Sequence, residues 1–436
     1  MTHHVTLCIQ KITGLSGGAE KVLIDLANEL DQRGHRVDIL CYENLGGEPF
    51  YKLRRGVHVR NIKPFDERRR SRNWRASVRE ASIERVIERG IQVLDRIPIV
   101  SRLVWRQRYR LMISRIRQHI DWHQPDVMIP FMPGMFPYVV AARRSAKHKP
   151  AIVISNHNLP EADYASLERW DRNLYDRSFR RKALKDVEAS VVLLPEYKIW
   201  FSKREQTNIA VIGNATYPTS EPLSEDGREN VFIAIGRLTK TKNHEVLIRA
   251  FAQIAHIVPD WKLKIFGIGP LESDLMTLIE ELDLTERVLL MGKSDQIPRE
   301  LARAKVMVLS SLHEGFPLVI GEAAISGVPT IGFSDCSGVN RLISHQVTGL
   351  LVDAQPNDRP KELARAMLQL ATDEQLRKRF SDDAKKLAET GDYSPKQVFD
   401  SWSELVQRAA EKRGLQGKLQ DLPWKATVPT STGEDA

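Results

Sequence analysis

Short β-branched runs alternate with amphipathic helical stretches along this chain, and the alternation stops once and starts again. Runs at 5–10, 36–41, 126–130, 151–155 and 190–194 read as strands, and 19–33 reads as a helix with Val22, Leu23, Leu26 and Leu30 on one face. A second series of strands follows at 231–235, 262–266, 288–291, 306–309 and 329–333, with helices at 245–256 and 272–282 between them. Strand, helix, strand in this order is the signature of parallel βαβ units. Two such series predict an α/β protein of two Rossmann-like, doubly wound domains facing across a cleft, with ligand at the carboxyl ends of both sheets.

The break fixes the domain boundaries. Residues 214–230 hold Pro218, Pro222 and four acids with little apolar content, so they read as a linker. The expected organisation is an acceptor-side domain over 1–213, a second domain over 231–392, a last helix over 393–413 and a disordered tail over 414–436. A chain of 436 residues, 42% hydrophobic and 28% charged, has an ordinary globular composition. Cys8, Cys41 and Cys336 are odd in number and far apart, which points away from a disulfide framework and toward a reducing compartment. No basic-then-apolar leader and no apolar run of membrane-spanning length is present, so a cytoplasmic protein is expected.

The net charge of +9 is concentrated in one place. Residues 68–117 carry fifteen arginines against four acids, +11 in all, and leave the remainder at −2. Ile83, Val86, Ile87, Ile91, Leu94, Ile97, Val100, Leu103, Val104 and Leu111 follow helical spacing within that stretch. The pattern suits a helical insertion lying on an anionic membrane surface. A helix packed on the first domain is the other reading, and nucleic-acid binding has no recognised module to support it.

Residues able to carry chemistry cluster at predicted strand ends. Gly14, Gly17 and Gly18 sit in the first strand-to-helix turn, where backbone N–H groups can meet a phosphate; a merely tight turn would need the same glycines. The spacing is not G-x-G-x-x-G, and Cys41-Tyr42 stands where a ribose-binding acid would be expected, which disfavours a nicotinamide dinucleotide. Arg237 and Lys242 converge after the strand at 231–235, a pair suited to a diphosphate. Gly267 and Gly269 end the next strand and allow close approach of a flat base. In the stretch 310–330, Glu314 lies in a loop and Glu322 eight residues on in a new helix, placed to accept hydrogen bonds from vicinal hydroxyls. A solvated loop residue and a glutamate complementing a helix dipole are the plain alternatives.

Taken together, these elements resemble the retaining glycosyltransferases of family 4, with the GT-B architecture. The resemblance runs from the GGAE turn at Gly17 through GRL with Lys242, FGIGP and the E-x7-E stretch to the last helix, and the E-x7-E stretch is its most specific part. It implies that Arg237 and Lys242 hold a donor diphosphate, with Gly17 and Gly18 facing it from the opposite domain. It implies that Glu314 and the backbone of Gly315, Phe316, Pro317 and Leu318 bind the transferred sugar, that Glu322 binds the ribose, and that the terminal helix near Trp402 crosses back to the first domain. His157 matches the family's histidine at the sugar and acceptor side. Ile212-Gly213-Asn214-Ala215 departs from the family's Pro-Asn-Gly at the linker entry, and the Arg-rich segment is without counterpart.

The implied reaction moves a sugar from a nucleoside diphosphate sugar, UDP conjugates first and GDP second, to a hydroxyl with retention. The nucleotide sugar is a substrate; no cofactor and no metal are expected, since the D-x-D triplet is absent. No carboxylate stands out as a covalent nucleophile, so a same-face route is preferred, in which the departing phosphate oxygen takes the acceptor's proton. If the Arg-rich segment meets a membrane, the acceptor is a lipid-linked sugar in polysaccharide or lipopolysaccharide assembly on the cytoplasmic face of the inner membrane. A non-catalytic nucleotide-sugar-binding subunit and a sugar-nucleotide epimerase on the same architecture are the rival functions.

Overall fold

A computed structural model describes residues 2–15, 17–43, 47–63, 98–166, 170–217, 227–294 and 296–420. Seven parallel strands form the first sheet: β1 (His4–Ile9), β2 (Arg36–Cys41), β3 (Val57–Asn61), β4 (Val127–Pro130), β5 (Ala151–Ser155), β6 (Ala189–Val192) and β7 (Ile209–Val211), in the order β3-β2-β1-β4-β5-β6-β7. Six more form the second: β8 (Glu229–Ile235), β9 (Lys262–Phe266), β10 (Val288–Gly292), β11 (Ala304–Leu309), β12 (Thr330–Phe333) and β13 (Gly349–Val352), in the order β10-β9-β8-β11-β12-β13. Each order reverses once, between β1 and β4 and between β8 and β11. At each reversal the loops that follow the two strands open on opposite sides of a crevice, which is where such sheets bind ligands.

Helices cover both faces of each sheet. In the first domain α1 (Gly18–Gln32) buries Leu23, Ile24, Leu26, Ala27 and Leu30 against β1 and β2. The long helix α2 (Pro98–His123) packs on α3 (Phe136–Ser145) and α4 (Leu174–Ala183) through buried Trp105, Met112, Ile116 and Ile120. Trp105 Nε1 donates to Asp176 at 2.6 Å, and the tilted rings of Tyr109 and Tyr138 lie 4.3 Å apart. The short helix α5 (Pro195–Ile199) follows β6. In the second domain α6 (His244–Ile254) follows β8, α7 (Leu318–Ile325) follows β11, and α8 (Glu374–Thr390) packs behind α7.

The last helix, α9 (Pro395–Gln420), belongs in space to the first domain: Val398, Phe399, Trp402, Val406 and Ala409 are buried in the core that α1 shares with β1 and β2. Arg33 bridges Asp400 at 2.8 Å beside it.

Three strands escape the hydrophobic pattern. β3 (VHVRN) is a largely exposed edge strand, β7 is three residues long, and β13 opens on glycine. The linker expected over 214–230 is shorter, because Glu229 and Asn230 already pair in β8. The last helix also runs seven residues beyond 413, into the stretch expected to be disordered; residues 421–436 lie outside those described. Of the Arg-rich segment, 68–97 likewise lies outside, whereas 98–117 is the packed helix α2. Among the described residues no helix is long and apolar enough to cross a membrane.

Candidate active site

The carboxyl ends of β8 and β11 are stitched into one wall. After β8, Gly236-Arg237-Leu238 turns outward; buried Leu238 donates its N–H to the Ile268 carbonyl (3.1 Å) and accepts from the Leu271 N–H (3.2 Å). Gly267 has φ 153° beside this turn, and a Cβ there would stand 2.0 Å from the Gly236 carbonyl oxygen, so only glycine allows the two turns to close. A single 3-10 turn, Lys240–Lys242, and a left-handed Asn243 (φ 53°) then lead into α6. Ser310 Oγ donates to the Lys242 carbonyl (3.0 Å), and the Leu312 N–H to that of Thr241 (2.9 Å).

These bonds aim the Lys242 ammonium at Glu314. Its Nζ lies 2.5 Å from Glu314 Oε1, which also accepts from Ser311 Oγ at 2.6 Å. The pair is largely withdrawn from water, with the Glu314 side chain 10% and the Lys242 side chain 21% exposed. Arg237 does not join it. Its guanidinium is exposed and, among the described residues, carries no ion pair within 4 Å, while its charge counteracts the rise that burial imposes on the Glu20 carboxyl across the cleft.

Three contacts bring the opposite wall to this one. Gly18, opening α1, would place a Cβ 3.4 Å from Leu318 Cδ1. Gly315 passes so close to the chain after β5 that a Cβ would stand 2.8 Å from the His157 carbonyl oxygen. Tyr197 on α5 donates its hydroxyl to the Gly315 carbonyl at 2.7 Å and lies 3.2 Å from Ser337 Oγ; burial raises its phenol to about 12, so it remains a donor. Phe316 leaves its own domain, lies with the first domain's buried cluster and meets Tyr393 edge-on at 4.9 Å.

His157 stands on the first-domain wall beside Gly315. His157 stacks on Phe131 (4.7 Å), and its Nε2 lies 2.8 Å from Ser155 Oγ. Its Nδ1 is buried without a hydrogen-bond partner among the described residues, and burial lowers its pKa to about 3, so the ring is neutral. Glu322 sits in the middle of α7 and not in its first turn, which removes the helix-dipole explanation. Burial raises its carboxyl pKa; Lys21, on the facing helix α1, lowers it and Asp25 raises it further.

The structure places Gly17, Gly18, His157, Arg237, Lys242, Gly267, Gly269, Glu314, Gly315, Pro317 and Leu318 in the turns and helix starts that follow strands, Glu322 in the middle of α7 facing α1, and the Phe316 ring in the first domain's buried cluster. Tyr197 and Lys21 are site residues that pattern alone does not pick out. The only signal for Tyr197 is its place just after a strand's carboxyl end. A small apolar cavity of about 50 Å³ lies behind α7, among Ile320, Ala324, Leu342, Leu387 and Tyr393, and is lined by none of the charged groups.

Comparison with known proteins gives the class first. S. aureus TarM, solved with UDP, fondaparinux and α-GlcNAc-glycerol, shares the fold, with a TM-score of 0.68 at 14% identity over 93% of this chain and 100% of that one. Two such facing domains are the GT-B architecture. The model described as Glycosyltransferase Family 4 matches residues 16–216, and that described as Glycosyl transferases group 1 matches residues 218–387. The chain belongs to the family 4-like glycosyltransferases.

Two curated relatives extend this. A Campylobacter jejuni α-1,4-N-acetyl-D-galactosaminyltransferase named for a diNAcBac-PP-undecaprenol glycan is 26% identical over 90% of this chain and 95% of that protein. A Streptomyces coelicolor exopolysaccharide phosphotransferase is 34% identical over 52% of this chain, a match that spans 24% of that protein.

Proposed function

We propose that this protein transfers a sugar, with retention at the anomeric carbon, from a nucleoside diphosphate sugar to a hydroxyl of a lipid-linked saccharide. The observation that carries the reading is the Lys242–Glu314 contact, held by Ser310 and Ser311 at the switch point of the second sheet. A diphosphate entering beside Arg237 competes with Glu314 for Lys242. The ammonium then takes up leaving-group charge, and the released carboxylate accepts hydrogen bonds from the sugar.

Glu322 binds the ribose hydroxyls, and Gly17 and Gly18 close on the phosphates from α1. His157, neutral and with Nδ1 unpaired among the described residues, offers a hydrogen bond to a sugar or acceptor hydroxyl without adding charge. In the same-face route the bond from the anomeric carbon to the phosphate oxygen breaks. The acceptor oxygen bonds on that side, and its proton passes to the departing phosphate. No metal is needed, since the cations and helix N-termini carry the electrostatic work.

UDP as the nucleotude carrier follows TarM's ligand, and a lipid-linked acceptor follows the name of the Campylobacter relative. Peripheral contact with an anionic membrane is supported by the outer face of α2, where Ile99, Leu103 and Leu111 are exposed among exposed Arg102, Arg106 and Arg110. Since α2 also packs on the domain through Trp105, the membrane test substitutes R102E, R106E and R110E together and does not delete the helix. Flotation with anionic vesicles should fall sharply in that triple variant, and unchanged flotation rejects the contact. The transfer reading is tested by incubating UDP-sugars with undecaprenyl-diphosphate-linked saccharides and resolving products by mass spectrometry and anomeric NMR. Inverted product rejects retention, and binding of nucleotide sugars without transfer to any such acceptor favours the non-catalytic subunit.

A further inference from the structure

A strap from the first domain crosses the cleft at the end away from Glu314. After β2 the chain returns at Pro49, which bridges to Thr13, and the Thr13 hydroxyl donates to Glu43 at 2.7 Å. The strap is thereby fixed beside the Gly14–Gly18 turn. It carries two consecutive aromatic residues, Phe50 and Tyr51, packed edge-to-face at 5.1 Å.

The two rings reach different places. Phe50 meets the second domain, its ring centroid 4.6 Å from Lys293 Nζ. Tyr51 is half-buried, with Lys21 6.0 Å from its ring, and close enough to Glu322 that this carboxylate adds to the rise burial imposes on its phenol, to about 12.

Lys293 follows Gly292, whose carbonyl accepts the Gly267 N–H at 2.8 Å. Along the carboxyl edge of the sheet, the order β11, β8, β9, β10 presents Glu314, then Arg237 with Lys242, then Gly267, then Lys293. A donor lying along that edge with its sugar at Glu314 and its diphosphate at Lys242 brings its nucleoside to Gly267 and Lys293. The surface there changes character: Ile268 is 55% exposed and Phe50 39% exposed. Sugar hydroxyls and phosphates have no use for these apolar faces, whereas a heteroaromatic base does.

Resting on the proposed donor reading, we infer that Phe50 is a specificity-determining residue that closes on the face of the donor's nucleobase across the Gly267–Ile268 turn. Lys293 is the second-domain contact that keeps its ring at that end of the cleft. The base is therefore held by both domains, and the strap makes nucleoside binding depend on their closure.

Titration calorimetry on the full chain tests this with UDP, GDP and inorganic pyrophosphate. F50A and F50L should each weaken the better-bound nucleoside diphosphate about tenfold, with pyrophosphate unchanged, and F50W should bind it as wild type does. Because Phe50 is well exposed, none of these changes opens a core, and thermal melts confirm that each variant is folded. Equal loss of nucleotide and pyrophosphate means that the strap only braces the glycine turn and overturns the inference; unchanged nucleotide affinity in F50A and F50L overturns it too. Failure of the wild-type chain to bind any nucleoside diphosphate appears before any substitution is made, and defeats the donor reading together with the inference.

Discussion

The two walls of the cleft are built on the same sheet topology and do opposite things with charge. The second-domain wall holds an ammonium and a carboxylate 2.5 Å apart, with the exposed Arg237 guanidinium beside them. At the Gly315 end the first-domain wall presents a neutral His157 and the phenol of Tyr197, while its charged groups, Glu20, Lys21 and Asp25, lie on α1 opposite Arg237 and Glu322. Charged wall and neutral wall divide the labour. On the proposed reading, anionic groups are sorted by the first, while the second contributes shape and hydrogen bonds around His157 and Tyr197, where a further charge would be costly to desolvate.

The comparison breaks most decisively at Lys242 and Glu314. K242A and E314A should each lower turnover by on the order of 10²-fold or more, measured in steady state with donor saturating. Near-normal turnover in both would place the chemistry elsewhere. Next in size is G315A, whose methyl group would stand 2.8 Å from the His157 carbonyl oxygen and 3.4 Å from Asn158 Cα. Pushing the walls apart there should cost roughly 10- to 10²-fold in kcat/KM, with the melting temperature little changed. A larger effect on stability than on rate would mean that the contact is a packing seam and not part of the site.

E322Q keeps the shape and removes the charge. The donor KM should rise about tenfold with kcat nearly constant, the mark of binding shared by ground and transition states.

The neutral wall also has a signature in acid. His157 titrates at about 3 when folded, below its ordinary value of 6.5. The unfolded chain therefore binds the extra proton first, so the stability gained by burying the neutral ring is complete above about pH 6.5 and drains away as pH falls toward 3. H157Q should flatten the dependence of melting temperature on pH in that window; the same slope in wild type and variant would assign it to other groups, His119 first, whose ring is lowered to about 3, and then His244, lowered to about 4. The smallest effect belongs to the rim. Glu196 and Arg341 pair across the cleft at 3.0 Å with Arg341 58% exposed, so R341A should change stability by less than about 1 kcal/mol and rate by less than twofold.

Much of the charged wall is legible in the sequence because its parts are local. A strand end, a glycine turn and a glutamate at a fixed spacing from the next helix are all read within about ten residues, and each is constrained by backbone geometry that leaves a residue pattern. The neutral wall is legible only in fragments. The GGAE turn announces itself, but Tyr197 is an ordinary tyrosine until it meets Gly315, 118 residues away. Arg237 and Lys242 differ in a way that spacing conceals: Lys242 is held on Glu314 by Ser310 and Ser311, whereas Arg237 is exposed and has no ion pair within 4 Å among the described residues. The Arg-rich stretch shows the reverse error of scale. Its charge reads as one feature, yet Trp105, Met112, Ile116 and Ile120 bury one side of α2 and leave only the other available to a partner.

What the chain determined unaided is the succession of strands and helices, the place where that succession restarts, and the residues that stand at strand ends. Period-two and period-3.6 burial leave their mark on every segment independently, so no knowledge of distant partners is required. Only the folded molecule decided which strand ends share a crevice, that α9 completes the first domain's core, that Phe316 crosses into it, and that Phe50 lies against Lys293. These depend on the order in which strands assemble and on packing between segments hundreds of residues apart, and such distances leave no periodic trace.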